Sequence, residues 1–236
     1  MALTSFPSGG TAVVIGAGGG IGAGFARALD ADPAFRACVA LGRATQPPLD
    51  LLDEASIEAA ARHLAAAHAP PRLVVDATGV LHGEGVQPEK SWRQITPEGM
   101  ARAFAVNATG PALLIKHLLP LFPREGRAVF VTLSARVGSI GDNRYGGWYA
   151  YRASKAALNQ IVRTAAVELA RKRPDAVCAA LHPGTVDTPL TAPFGKSGLT
   201  VRAPDDAVAR LLAVIDRLIP ADSGGFYDYA GEVIPW

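Results

Sequence analysis

Runs of strand length, apolar at every position rather than every second one, alternate along this chain with longer stretches of helical spacing. A strand apolar throughout is buried on both faces. Alternating such strands with helices leaves one arrangement: right-handed βαβ units in a doubly wound parallel α/β sheet, with helices on both faces. The runs fall at residues 11–15, 37–41, 73–75, 127–133 and 176–181, with a short one around Phe226. Helical spacing covers 20–29, 54–67, 99–121 (broken at Gly110-Pro111), 149–172 and 204–218. The Pro- and Gly-rich pieces at 44–48, 82–88 and 183–199 read as loops. No repeat or linker divides the chain, so a single domain over 1–236 is expected.

Composition narrows the function. With 236 residues a sizeable core can form without disulfides or metals. The net charge is only +2 and no basic block exists to track phosphates, which argues against nucleic acid. Two isolated cysteines, Cys38 and Cys178, make neither a disulfide framework nor a zinc site and suit a reducing cytoplasm. The first ten residues carry no Lys or Arg and no apolar stretch of signal-peptide length. No uncharged run approaches the roughly 20 residues that span a bilayer. A soluble, cytoplasmic protein is expected.

The first strand runs into Gly16-Ala17-Gly18-Gly19-Gly20-Ile21-Gly22 and straight on into a helix. Glycine serves where the backbone takes positive φ or must approach a ligand without a Cβ. Free N–H groups and the helix dipole then favour a pyrophosphate. Ile21 stands where the general Gly-x-Gly-x-x-Gly pattern has its third glycine, but Gly16-x-x-x-Gly20-x-Gly22 serves the same turn. An NAD site places Asp or Glu at the end of the second strand. Here that strand ends Leu41-Gly42-Arg43, which leaves room and a charge-assisted donor for a 2′-phosphate. NADP is favoured, with NAD as the alternative.

Tyr151-Arg152-Ala153-Ser154-Lys155 opens the longest helix of the C-terminal half. Residues four apart share a helix face, so Tyr151 and Lys155 can share a site. An ammonium beside the phenol is expected to lower its pKa from about 10, fitting Tyr151 to trade a proton with a carbonyl or alcohol beside a nicotinamide.

These marks, taken in order, resemble the short-chain dehydrogenase/reductase family over essentially the whole chain. They are Gly16-x-x-x-Gly20-Ile21-Gly22, Asp50-Leu51-Leu52-Asp53, Asp76-Ala77-Thr78-Gly79, Asn107, Tyr151-x-x-x-Lys155 and Pro183-Gly184-Thr185-Val186-Asp187-Thr188. The stretch from Ser134 to Ile140, the Gly146-Gly147-Trp148 loop and the Ile234-Pro235-Trp236 end look like its C-factor and carbonyl-reductase-like branch. The resemblance implies a Rossmann fold and a set of roles. Gly16, Gly18, Gly20, Ile21 and Gly22 would hold the pyrophosphate, and Asp50 and Leu51 would meet the adenine. Ala77, Thr78 and Gly79 would pack along the adenosine. Pro183, Gly184, Val186 and Thr188 would hold the carboxamide end. Asn107 would kink its helix so that a backbone carbonyl holds a water beside Lys155, which would bind the nicotinamide ribose. Residues 191–200 would form a substrate lid.

Three departures from the family pattern stand out. Ile15 replaces a common Thr. Asp76 and Thr78 replace Asn and Ala, with Asp76 able to cap the loop through N–H groups. The family's catalytic serine falls on Ala135; Ser134 is the favoured substitute, provided a bulge turns its hydroxyl inward, and Ser139 is the second candidate. The histidines show no metal-ligand spacing, so no metal is expected, and Trp148 is the best candidate among the tryptophans to line an apolar substrate pocket.

The chain thus reads as an NADP(H)-dependent oxidoreductase acting on a small-molecule carbonyl or secondary alcohol, with Tyr151 as acid/base and Asn107, Ser134 and Lys155 assisting. Ala135 motivates the alternative, a catalytically weak NADP(H)-binding sensor or C-factor-like signalling protein. An acyl-thioester reductase is disfavoured because no basic patch awaits a carrier protein. The Ala-rich helices would suit a homo-dimer or homo-tetramer.

Overall fold

A computed structural model describes residues 2–83, 87–194, 198 and 200–236. The parts of the expected 82–88 loop at 84–86 and of the expected lid at 195–197 and 199 lie outside the described residues. Elements follow in the order β1 Gly10–Ile15, α1 Gly20–Asp30, β2 Phe35–Leu41, α2 Glu54–Ala67, β3 Pro71–Asp76, α3 Pro97–Phe104 and α4 Gly110–Leu118. Then come β4 Ala128–Leu133, α5 Tyr149–Lys172, β5 Ala176–His182, β6 Thr185–Val186, β7 Val201–Arg202, α6 Pro204–Arg217 and β8 Phe226–Asp228.

Six strands form one parallel sheet in the order β2-β1-β3-β4-β5-β8, while β6 and β7 pair separately. From β1 the chain steps to one side (β2) and then to the other (β3), so the switch point lies at the carboxyl ends of β1 and β3, where doubly wound sheets bind ligands.

Alternate residues of each strand feed two separate cores, which is why the strands are apolar throughout. Val13, Ile15, Val74 and Phe130 pack under Ile57 and Leu64 of α2, Leu114 and Leu118 of α4, and Leu158 and Val162 of α5. Val14, Val75, Val131 and Leu181 face the opposite way, against Phe25 and Leu29 of α1 and Val208 and Leu211 of α6. Fully burying each such aliphatic side chain contributes about 1.5–3 kcal/mol.

The helical pattern at 99–121 breaks elsewhere than expected. Gly110-Pro111 opens α4, and the irregularity lies just before it, a π-helical segment at Ala105–Thr109. Proline lacks the N–H that would reach back four residues, so the helix widens upstream and the Asn107 carbonyl is left without its ordinary helical donor. The π-helical segment includes Asn107, the residue that the family resemblance singles out.

Candidate active site

The glycine turn is held by packing at three of its positions. Gly16 has φ +81°, and a Cβ there would lie 3.0–3.1 Å from Thr78 and the Ala77 backbone. A Cβ on Gly22 would sit 2.2 Å from the Gly16 carbonyl oxygen, so only glycine lets α1 start this close to the turn. At Gly20 the obstacle is Thr188 Cγ2 at 2.9 Å. A Cβ built on Gly18 would meet no described atom within 4 Å, so this exposed position faces open space. Gly19 caps α1 with no side-chain acceptor, leaving the first-turn amides to an outside anion. Ile21, in the place of the general pattern's third glycine, packs on the α1-side core and reaches the substrate-side cavity.

Beyond the turn lies a crevice of about 590 Å³, lined by Gly16, Gly42, Arg43, Asp50, Leu51, Ala77, Thr78 and Gly79. These residues come together from three loops, those after β1, β2 and β3. Arg43 is exposed at its rim. The Asp50 carboxylate accepts the Leu52 N–H at 2.9 Å, and Asp53 caps α2 through the Ala55 N–H. Arg102 of α3 also lines this crevice. Sequence reasoning missed it, because nothing local marks an arginine that only the fold brings next to residues 42–52.

A second cavity, about 450 Å³, lies beyond the 80–82 segment: Val80 and His82 line the crevice, and Leu81 lines the cavity. Its wall includes Ile21, Ser134, Ala135, Tyr151, Pro183, Gly184, Val186 and Thr188. Asp76 ends β3 fully buried. Its carboxylate accepts the Thr132 hydroxyl at 2.7 Å, the Thr78 hydroxyl at 2.5 Å and the Thr78 N–H at 3.1 Å, the loop cap anticipated from the sequence. Burial nonetheless raises its pKa, against those bonds and the Lys155 charge.

Asn107 ties the site together. Its amide donates to the Val80 carbonyl and the Ser154 hydroxyl and accepts the Val80 N–H at 2.8 Å. Ser154 in turn donates to the Tyr151 carbonyl at 2.9 Å. The Lys155 ammonium is 3% exposed and donates to the Leu133 carbonyl at 2.7 Å.

The electrostatics differ from the sequence expectation. The Tyr151 phenol was expected to be lowered by Lys155; instead burial pushes it up to about 12. Burial likewise pulls Lys155 down to about 8, with Asp76 opposing. Spacing places the two on one helix face, but desolvation, which spacing does not register, dominates both shifts.

Ser134 does not meet the condition attached to it. It continues the β4 register, its N–H bonding the Leu181 carbonyl, so its side chain points to the α5 face. There its hydroxyl donates to Asn159 Oδ1 at 2.7 Å. A serine has one proton to donate, and this one is committed to Asn159. Ser139, the other candidate, is 2% exposed and accepts the Asp142 N–H.

Trp148 carries a feature invisible in the sequence. It stands at φ +53°, ψ +45°, a left-handed conformation unusual for a bulky residue. Its N–H bonds the Glu89 carbonyl, and the buried Glu89 carboxylate accepts the Ala150 N–H at the start of α5. The strained turn brings the indole within 6.2 Å of the Tyr151 ring and 5.2 Å of Phe194, centroid to centroid. On the other side Phe194 meets His82 at 5.5 Å. An aromatic row thus closes one side of the cavity.

Fold and site define a dinucleotide-binding α/β protein of the doubly wound type. Residues 16–210 match a family described as enoyl-(acyl carrier protein) reductase. The chain belongs to the short-chain dehydrogenase/reductase family of oxidoreductases. The C-signal of Myxococcus xanthus is 42% identical over 138 residues, 58% of this chain and 78% of that protein. The 1-hydroxy-2-glutathionyl-2-methyl-3-butene dehydrogenase of Rhodococcus sp. (strain AD45) is 34% identical over 96% of this chain and 99% of its own. Among solved structures, NADPH-bound carbonyl reductase from chicken fatty liver superposes with a TM-score of 0.83 at 25% identity, covering 98% of this chain and 96% of that one. Among the described residues, no helix is long and apolar enough to cross a membrane.

Proposed function

We propose that residues 1–236 act as one domain and form an NADPH-dependent reductase of a small carbonyl compound, with Tyr151 donating the proton. The observation that carries this reading is the placement of Tyr151 in the wall of the 450 Å³ cavity, one helical turn from a buried Lys155 and across the 80–82 segment from the crevice. Bound NADPH would supply the hydride. The glycine turn fits its pyrophosphate because the α1 amides lack a side-chain cap, and Arg43 suits a 2′-phosphate. The NADPH named in the chicken carbonyl reductase structure supports the same choice.

A phenol held near 12 is fully protonated at neutral pH. That is the form required to protonate the oxyanion produced when a carbonyl is reduced. Lys155, at about 8, carries its charge there and favours negative charge developing beside Tyr151.

The test follows NADPH absorbance over benzaldehyde, acetophenone, cyclohexanone and hexanal, with wild type and Tyr151→Phe. A general acid contributes roughly 10²–10⁴-fold; equal turnover by the two proteins refutes the assignment. A second reading, a cofactor-binding signalling protein with little chemistry, draws on Ala135, on the commitment of Ser134 to Asn159 and on the similarity to the C-signal. Tight NADPH binding without turnover of any carbonyl in the panel favours it.

A further inference from the structure

Reduction leaves a carbonyl oxygen carrying negative charge and two lone pairs, and Tyr151 serves one of them. A second donor aimed at that oxygen is worth roughly 10²–10³ in rate. Most polar groups of the cavity have their protons committed elsewhere. Ser134 donates to Asn159, and Ala135 has nothing to give. The Arg152 guanidinium is shared among the carbonyls of Val137, Gly146 and Gly147. Arg136 faces Asp142 and Asp228, and the Thr191 hydroxyl donates to the Val186 carbonyl.

His182 is different. It is the last residue of β5 and is among the residues lining the cavity that Tyr151 and Ala135 also line. The Ser134 N–H bonds the Leu181 carbonyl, which sets His182 beside the end of β4. Its Nδ1 is buried and has no hydrogen-bond partner among the described residues. A neutral imidazole carries one N–H. With no acceptor at Nδ1, the proton is better placed on Nε2, at the other edge of the ring. We propose that His182 is a second hydrogen-bond donor to the substrate's carbonyl oxygen, through Nε2–H, a role that Ala135 cannot fill. The imidazole is neutral at assay pH: burial and the charges of Arg136 and Arg202 pull it down to about 4, against Asp228.

This inference rests on the reductase reading, so its test carries Tyr151→Phe as a control on the carbonyl that wild type reduces fastest. His182→Phe is expected to lower kcat roughly 10²-fold, with NADPH affinity and thermal midpoint retained. Ala135→Ser is expected to raise kcat in the His182→Phe background by at least about tenfold more than it does in wild type, since two groups serving one oxygen are not additive. Wild-type kcat in a folded His182→Phe protein overturns the proposal, as does an equal gain from Ala135→Ser in both backgrounds. Should His182→Phe fold poorly, His182→Gln against His182→Leu makes the comparison at similar volume: the amide keeps a donor, and equal rates overturn the proposal. An inactive Tyr151→Phe beside an unaffected His182→Phe sinks this inference alone; an active Tyr151→Phe sinks the reductase reading beneath it.

Discussion

Replacing Lys155 with methionine, near in length and apolar, isolates what it costs to bury an ammonium at this site. The group is 3% exposed and its pKa falls from 10.5 to about 8. Unfolded chain therefore holds the proton between those two values while folded protein releases it, so wild-type stability rises as pH climbs from 8 towards 10.5. At about 1.4 kcal/mol per unit, the folded protein carries a penalty of about 3 kcal/mol at pH 7, falling to about 1.4 kcal/mol by pH 9.5. Lys155→Met removes the penalty but also the bond to the Leu133 carbonyl, worth about 1.5–3 kcal/mol when charged. The two nearly cancel at pH 7, so the absolute difference there is uninformative. The change with pH is informative, because any gain in stability from the methionine shrinks by about 2 kcal/mol between pH 7 and 9.5. Urea unfolding of both proteins at the two pH values measures it. A stability difference constant to within about 0.5 kcal/mol would falsify the claim that burial, with only partial help from Asp76, governs this lysine.

Gly22→Ala places a Cβ 2.2 Å from the Gly16 carbonyl oxygen, against backbone that has no rotamer to yield. It should cost at least the 1–3 kcal/mol of an overpacked site and abolish NADPH binding in a fluorescence titration; an unchanged affinity would show that the turn is not the phosphate site. Arg43→Ala should weaken NADPH by about tenfold or more while sparing NADH, as expected for one charge-assisted bond to a 2′-phosphate; equal losses for both cofactors would contradict that role. Trp148→Gly should relieve about 1 kcal/mol of left-handed strain and raise the thermal midpoint while increasing KM for benzaldehyde more than for hexanal. A lower midpoint would mean that indole packing outweighs the backbone strain.

The layered sheet was legible because burial on both faces leaves a mark at every strand position, and two interleaved cores keep that mark unambiguous. Gly22 was legible for a similar reason, since a contact at 2.2 Å admits one residue type only. Arg102 was not, because it reaches its crevice through tertiary placement that no local pattern encodes. The left-handed turn at Trp148 also escaped notice: Gly146 and Gly147 advertise such a backbone, but a tryptophan adopts it only because Glu89 holds both its N–H and the start of α5.

The end of β4 shows most sharply where counting residues stops being chemistry. Ser134 and Ala135 both line the cavity, but strand parity sends the serine's proton under α5 to Asn159 and leaves only a methyl group at the next position. Moving the hydroxyl by one residue thus converts a group that could touch substrate into one that anchors the long helix carrying Tyr151 and Lys155. Such a chain must either find its second oxyanion donor on a neighbouring strand or lose much of its rate. His182, beside that strand end and with Nδ1 unpaired among the described residues, is where the proposal above places that donor, through Nε2–H.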